Sequence, residues 1–188
     1  MENKKINIQF FGEEDDRQAK LENIFSTVNE VLKKVNTDDI TSESSDTFST
    51  LPDGYYFSEL EKAELTESKT SGQPMVSWQF KTVENGIQID EESSHLEIPK
   101  TANKKIFAFH VLKDASAIER FISDALKFED EDGNTILEKE YFSTAELMSD
   151  ALDILEGLRI WIHISTDKNN STWTRFVSWK RAEKLELE

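Results

Sequence analysis

Residues 157–181 read GLRIWIHISTDKNNSTWTRFVSWKR. The phase of this stretch decides the fold. Leu158, Ile160, Ile162 and Ile164 face one way on an extended chain, and Arg159, Trp161 and His163 face the other, because successive side chains of a strand point to opposite sides. Residues 158–165 are therefore a strand with an aliphatic inner face. TDKNNS is a polar hairpin loop, and Thr172–Lys180 is the partner strand. On that partner Trp173, Arg175, Val177 and Trp179 share a side. A register with Trp173 opposite His163 and Arg175 opposite Trp161 gathers Trp161, His163, Trp173 and Arg175 on one surface. A one-residue slip would bury Arg175, which is costly. Whether Trp173 and Trp179 belong to the core or to a ligand face stays open at this level.

Working outward, Ser143–Glu156 reads as a helix whose start is marked by Ser143-Thr144 and Glu146. EDEDGN before it is an acidic turn. Residues 114–128 form another helix, capped by Asp114 or Ser116, with Ile118, Phe121, Ile122, Ala125 and Leu126 as its apolar stripe. KIFAFHVL at 105–112 is a strand. Its Phe107, Phe109 and Val111 share one face, and the two phenylalanines are read as core rather than as stacking platforms. Tyr55–Leu65 and Pro74–Val83 are two further strands, joined by the loop ESKTSGQ. The order is three strands, a helical insert and two strands. It matches a five-stranded barrel of the oligonucleotide/oligosaccharide-binding (OB) type, with the helical insert between strands three and four. The predicted class is mainly β with helices.

Upstream, Leu21, Ile24, Val28, Val31 and Val35 recur at spacing 3, 4, 3, 4, the mark of one helical face. Acids at its start and Lys33-Lys34 near its end suit the helix dipole. NTDDITSESSDTFST then reads as a flexible linker, and LPDG as the turn that opens the next domain. Three regions follow: an arm with an amphipathic helix at 1–36, a linker at 37–50 and the barrel at 51–188. The helix has two readings, self-association through Leu21, Ile24, Val28, Val31 and Val35, or packing on its own domain. Deletion of residues 1–50 is expected to leave the barrel folded.

The chain has 188 residues, no cysteine and a formal net charge of -16. The missing cysteine removes disulfides, thiolate catalysis and Cys-ligated zinc. No run approaches the ~18 apolar residues of a membrane span. The opening MENKKINIQFFGEEDD carries neither a long apolar segment nor a small-residue cleavage site, so a cytoplasmic protein is expected. The charge is unevenly spread. Residues 99–113 are net +4 and residues 157–188 net +2, while residues 114–156 are net -10. Both positive windows are rich in aromatic residues. At a Debye length of ~8 Å such patches act locally.

The stretch 51–86, LPDGYYFSELEKAELTESKTSGQPMVSWQFKTVENG, contains Pro52, Gly54, Tyr56, Glu61, Glu64, Leu65, Ser68, Lys69, Ser71, Gly72, Pro74, Met75, Trp78 and Phe80 in a recognisable pattern. It resembles a family of phage single-stranded-DNA-binding-like proteins from replication and recombination modules. KKIFAFHVLKDASAIERFISDALKF and the closing VSWKR are also similar, so the resemblance spans residues 51–181. The chain departs from the pattern in having Thr66 where lysine is commoner, and in its long acidic arm. The resemblance implies single-strand binding without catalysis, in a bacterial host's cytoplasm. It also implies phage or host replication and recombination proteins as partners.

Sequence-tolerant binding of single strands needs aromatic faces for bases and cations along the backbone. The candidates are Trp161, Arg159, His163, Trp173 and Arg175 on the hairpin, with Lys69 in the first loop and Lys100, Lys104 and Lys105 in the basic window. No cofactor or metal is expected. Pro52-Asp53 with Glu67 and Lys69 matches a loose metal-nuclease pattern, a weak signal in so acidic a chain. Residues 129–134 look like a calcium loop, but the glycine is misplaced and Tyr141 stands where a bidentate acid is needed. His95, His110 and His163 are isolated. An alternative to single-strand binding is an acidic DNA mimic or interaction protein that inhibits a nucleic-acid-binding host enzyme.

Overall fold

A computed structural model describes residues 12–35, 51–90, 93–130 and 133–187. The proposed linker at 37–50 lies outside them. Helix α1 covers Gly12–Leu32. Strands β1 (Gly54–Glu67), β2 (Pro74–Thr82), β3 (Gly86–Ile89), β4 (His95–Ile98) and β5 (Lys105–Val111) follow. Next come α2 (Ala115–Ala125), a 3-10 turn at Lys139–Phe142, α3 (Ala145–Leu155), β6 (Arg159–Thr166), β7 (Thr172–Val177) and α4 (Trp179–Lys184). Among the described residues no helix is long and apolar enough to cross a membrane.

All pairings among the strands are antiparallel. The long β1 organises them. Its C-terminal part pairs with β2, which pairs with β5. Its N-terminal part pairs with β6, which pairs with β7. The hairpin β3–β4 joins through Tyr55 and Ile87. The result is a seven-stranded open sheet in a mixed α/β chain. The expected five-stranded barrel is replaced by seven strands, and among the described residues β5 and β7 share no ladder that would close the sheet. The sheet does curl, since Phe176 of β7 brings its ring within 5.2 Å of Trp78 and 5.1 Å of Phe80. The additional strands β3 and β4 come from a polar stretch whose hairpin the sequence pattern does not announce. Thr101 ties its base by accepting the Gly86 N–H at 2.8 Å and donating to the Ile98 carbonyl at 2.6 Å. A side chain at Gly86 would collide with the ring of Tyr56.

Helices α1, α2 and α3 cover the inner face of the sheet. Tyr56, Leu60, Trp78, Phe80, Ile106, Ile160, Ile162, Ile164 and Phe176 point inward from the strands. Phe121, Ile122, Met148 and Leu152 meet them from α2 and α3. The caps fall where expected: Asp114 accepts from the Ala117 N–H at 2.9 Å, and Thr144 accepts from Leu147 at 3.2 Å. Helix α1 belongs to this same core. Ile24, Val28 and Leu32 are buried in it, and Val31 and Val35 pack against it. Asn29 accepts the Ala145 N–H at 2.6 Å, satisfying a donor at the first turn of α3. The face offered for self-association is thus used within the chain, where it buries apolar surface against α2, α3 and β1. It follows that the helix is part of the domain and not a detachable arm. Replacing Ile24 with alanine is expected to cost about 2–5 kcal/mol, read from the urea midpoint, with the mass by light scattering unchanged. A lower mass at unchanged midpoint would return this face to self-association.

A polar chain runs through the core. The Trp78 Nε1–H donates to His110 Nδ1 at 2.9 Å, and His110 Nε2 lies 2.9 Å from Asp124 Oδ2. Lys127 Nζ donates to Asp124 Oδ1 at 2.7 Å. Because Nδ1 accepts from the indole, the proton of the neutral ring sits on Nε2 and points at the carboxylate. Trp78, His110, Asp124 and Lys127 are all buried. Removing one member leaves a buried cation or donor without its partner. Asp124→Ala is expected to cost about 3–5 kcal/mol, measured by urea denaturation. A loss under about 1 kcal/mol, the scale of exposed pairs, would show that Lys127 reaches water and the network is dispensable.

Candidate functional site

The hairpin candidates separate into different environments. Trp161, His163 and Arg175 leave the outer face of β6 and β7 as expected, but the register is displaced by two residues. Val177 stands opposite Trp161, Arg175 opposite His163 and Trp173 opposite Ser165. The parity of the faces is unchanged, so Thr174 and Phe176 point inward. The larger difference concerns exposure. Helix α4 and the residues after it fold back over this face. Trp161 is only 3% exposed and forms a second apolar cluster with Val177, Ala182 and Leu187, against which Phe57, Ile87 and Trp179 pack. Its indole lies 5.2 Å from the Phe57 ring. Trp161 therefore offers no free face for a base. Trp179, the expected end of a strand, instead starts α4.

The remaining members of that group are engaged locally. His163 stacks on Tyr55 with centroids 4.4 Å apart. Burial holds its imidazole below the usual value, and the Arg175 and Arg181 cations add to the effect. The ring is thus neutral at pH 7 and brings no charge to a phosphate. Trp173 Nε1 donates to Asp167 across the hairpin loop at 3.3 Å. Arg159 Nε bonds Glu59 at 3.2 Å on the neighbouring strand. Arg175 is exposed. These residues hold the hairpin and its cover together more than they form one concave surface.

A different surface carries exposed aromatics. Strand β5 buries Ile106, Ala108 and His110 and turns Lys105, Phe107 and Phe109 outward. Phe107 is 43% and Phe109 38% exposed. The sequence pattern places both in the core; the opposite phase holds because His110 must reach Trp78 and Asp124. On β2 their partners are Gln79 opposite Phe107, Ser77 opposite Phe109 and Lys81 opposite Lys105. The signal for this phase lies in the sequence: Lys105 and Lys113 share parity with the phenylalanines, and charge marks the wet side of a strand.

Lysines bracket the aromatic pair. Lys81, Lys104 and Lys105 lie at one end. The loop before β5 is fixed there because the Lys104 N–H donates to Thr82 Oγ1 at 2.8 Å and the Asn103 N–H to the Thr82 carbonyl at 2.9 Å. At the other end stand Lys113, just past β5, and Lys69 in the β1–β2 loop. The Leu112 N–H bonds the Pro74 carbonyl at 2.8 Å, which sets these two segments side by side. Lys69, Lys100, Lys104 and Lys105 are all exposed. The structure brings Lys69, Lys104 and Lys105 to the ends of the phenylalanine face, while Lys100 occupies the turn after β4.

The family model described as a protein of unknown function (DUF669) matches residues 35–130, just over half of the chain. The chain belongs to this family. Comparison with curated proteins finds no match. The DUF669 segment runs through β1 to β5 and α2, so it contains Phe107, Phe109, their lysines and the whole buried chain from Trp78 to Lys127. Trp161 and the β6–β7 hairpin lie beyond it.

The nuclease-like pattern does not assemble. Asp53 accepts from the Thr166 N–H at 3.0 Å and the Thr166 hydroxyl at 2.7 Å, fastening the start of β1 to the end of β6. Glu67 closes the other end of the 14-residue β1. Among the described residues no three His, Asp or Glu side chains converge as a metal site would require. The acid of the calcium-like turn, Asp130, accepts the Asn134 N–H at 2.8 Å as an ordinary turn residue does.

Trp161→Ala is expected to cost about 3–5 kcal/mol of stability, as for a buried aromatic, and to leave any single-strand binding by the folded fraction as it is in the unmodified chain. Urea midpoint and fluorescence anisotropy on the same preparation separate the two effects. A weakened affinity at unchanged midpoint would restore Trp161 as a contact residue.

Proposed function

We propose that the chain is a non-catalytic single-stranded-DNA-binding accessory protein, and that its contact face is the outer side of β2 and β5. The exposed pair Phe107 and Phe109 with lysines at both ends carries this reading. Alternate residues of an antiparallel strand are ~6.8 Å apart, whereas bases stacked in a duplex repeat every ~3.4 Å. A base on each ring therefore requires a stretched backbone with its bases unstacked from each other. A single strand adopts that form at little cost. A duplex hides its base faces.

Counted without the β3–β4 hairpin, the strands run β1, β2, β5, helices, β6, β7, and their lateral order is β7-β6-β1-β2-β5. That order supports an OB-like barrel opened between β5 and β7. In such folds the face of the second and third strands, with the loops after the first and fourth, receives oligonucleotides. Here those features are β2, β5, the loop with Lys69 and the loop with Lys168. The resemblance to phage replication and recombination proteins supports a role in such a module in a bacterial cytoplasm, with proteins of that module as partners.

The proposal has a quantitative signature. If Lys69, Lys81, Lys104, Lys105 and Lys113 each neutralise one phosphate, log K falls against log salt with a slope of about -3.5, taking ~0.7 per contact. Phe107→Ala and Phe109→Ala are each expected to weaken binding of a mixed-sequence single strand about tenfold to a hundredfold, the range of ~1–3 kcal/mol per stacked base. Their exposed positions leave the urea midpoint nearly unchanged. Anisotropy with single-stranded and duplex DNA of equal length is the test. Tight duplex binding, or no binding to either, would overturn the proposal.

A further inference from the structure

An acid stands in the middle of this basic aromatic face. The β1–β2 register jumps from Leu60 opposite Phe80 to Lys62 opposite Gln79, so Glu61 is the extra residue of a β-bulge. Bulges re-aim the side chain they carry. The Glu61 carboxylate reaches across to the Phe107 side: Gln79 Nε2 donates to Oε2 at 2.8 Å, and Lys105 Nζ lies 3.5 Å from the same oxygen. Gln79 is the direct cross-strand partner of Phe107, which sets their Cβ atoms about 5 Å apart. The hydrogen bond from Gln79, with Lys105 nearby, keeps the carboxyl ionised by lowering its pKa.

The direction of these bonds fixes what the cluster offers a ligand. Both donors are turned toward Oε2. Among the described contacts Glu61 Oε1 and the amide oxygen of Gln79 take no donor, which leaves both as acceptors. A phosphate brought there meets a negative charge, so the cluster is poorly matched to the backbone. A base stacked on Phe107 presents its edge instead. At the same ring position cytosine carries the N4 amino group, a double donor, and thymine carries O4, an acceptor. An exocyclic amino group completes the acceptor pair, while a carbonyl oxygen is repelled by it.

Resting on the single-strand reading above, we infer that Glu61, held by Gln79 and Lys105, selects at the Phe107 position for bases with an exocyclic amino group, and so for cytosine over thymine among pyrimidines. The two pyrimidines stack similarly, so oligo(dC) and oligo(dT) of equal length isolate the edge contact.

The experiment measures both affinities of the full chain by anisotropy at one salt concentration and pH 7.5. The expected result is oligo(dC) bound about tenfold more tightly, the scale of one good base-edge contact. In Glu61→Gln, Gln79 and Lys105 again take the oxygen and an amide N–H2 donor replaces Oε1. Both affinities then rise as a negative charge is lost, and the ratio moves to unity or inverts toward oligo(dT). Glu61→Ala is expected to abolish the ratio without inverting it, and serves if the first variant misfolds. Equal binding or an oligo(dT) preference in the unmodified chain would overturn the role of Glu61 while leaving single-strand binding intact. So would an oligo(dC) preference that survives both substitutions. Binding to neither oligonucleotide would overturn the single-strand reading and this inference with it.

Discussion

The hydrogen-bonded chain Trp78–His110–Asp124–Lys127 joins β2, β5 and the end of α2 inside the core. It mixes an indole, an imidazole, a carboxylate and an ammonium in a region that is otherwise aromatic and aliphatic. Such groups are tolerated only when every member is satisfied, since a buried unpaired charge costs several kcal/mol. The requirement fixes the phase of β5. With His110 turned inward, Ala108 and Ile106 follow at period two, and Phe109, Phe107 and Lys105 must face out. An exposed aromatic pair is thus the consequence of a polar group in the core. A strand chosen by hydrophobicity alone would bury both phenylalanines and expose the histidine.

The same layering separates the charges. Helices α1, α2 and α3 cover the inner face of the sheet, and the outward sides of α2 and α3 carry exposed Arg120, Glu146, Asp150 and Asp153, acids outnumbering bases. Lys104, Lys105 and Lys113 lie at the ends of the opposite face. Screening over ~8 Å at physiological salt makes the two surfaces nearly independent. An overall charge of -16 therefore does not prevent a local basic face.

Elements with a strong period and local caps were legible in the sequence. The aliphatic stripe of β6, the starts of α2 and α3 at Asp114 and Thr144, and the helical face of α1 all appear in the structure. Their signals lie within a few residues of one another. What was not legible depends on distant partners. The phase of β5 follows from residues 32 and 14 positions away from His110. The burial of Trp161 follows from the C-terminal segment RAEKLELE, whose composition is polar but whose Ala182 and Leu187 are buried. The two-residue displacement of the hairpin arises because parity constrains which face is buried and not which pairs meet.

The aromatic, basic ribbon at residues 157–181 thereby acquires a structural explanation. The outer face of β1, β6 and β7 would be an apolar sheet surface without its cover, since Tyr55, Phe57, Trp161 and Val177 all lie on it. Helix α4 dries that surface, and its cations Lys180 and Arg181 remain exposed at the rim. Glu129 accepts the Trp179 N–H at 2.8 Å, securing the start of the helix from across the chain. Once this face is closed, the exposed aromatic run that remains among the described residues is the one on β5. On the proposed reading, a single strand that tracks the sheet passes over Phe107 and Phe109. There it meets a bulge-directed carboxylate at the level of the bases and lysines at both ends. That arrangement suits base edges in the middle of the path and phosphates at its flanks.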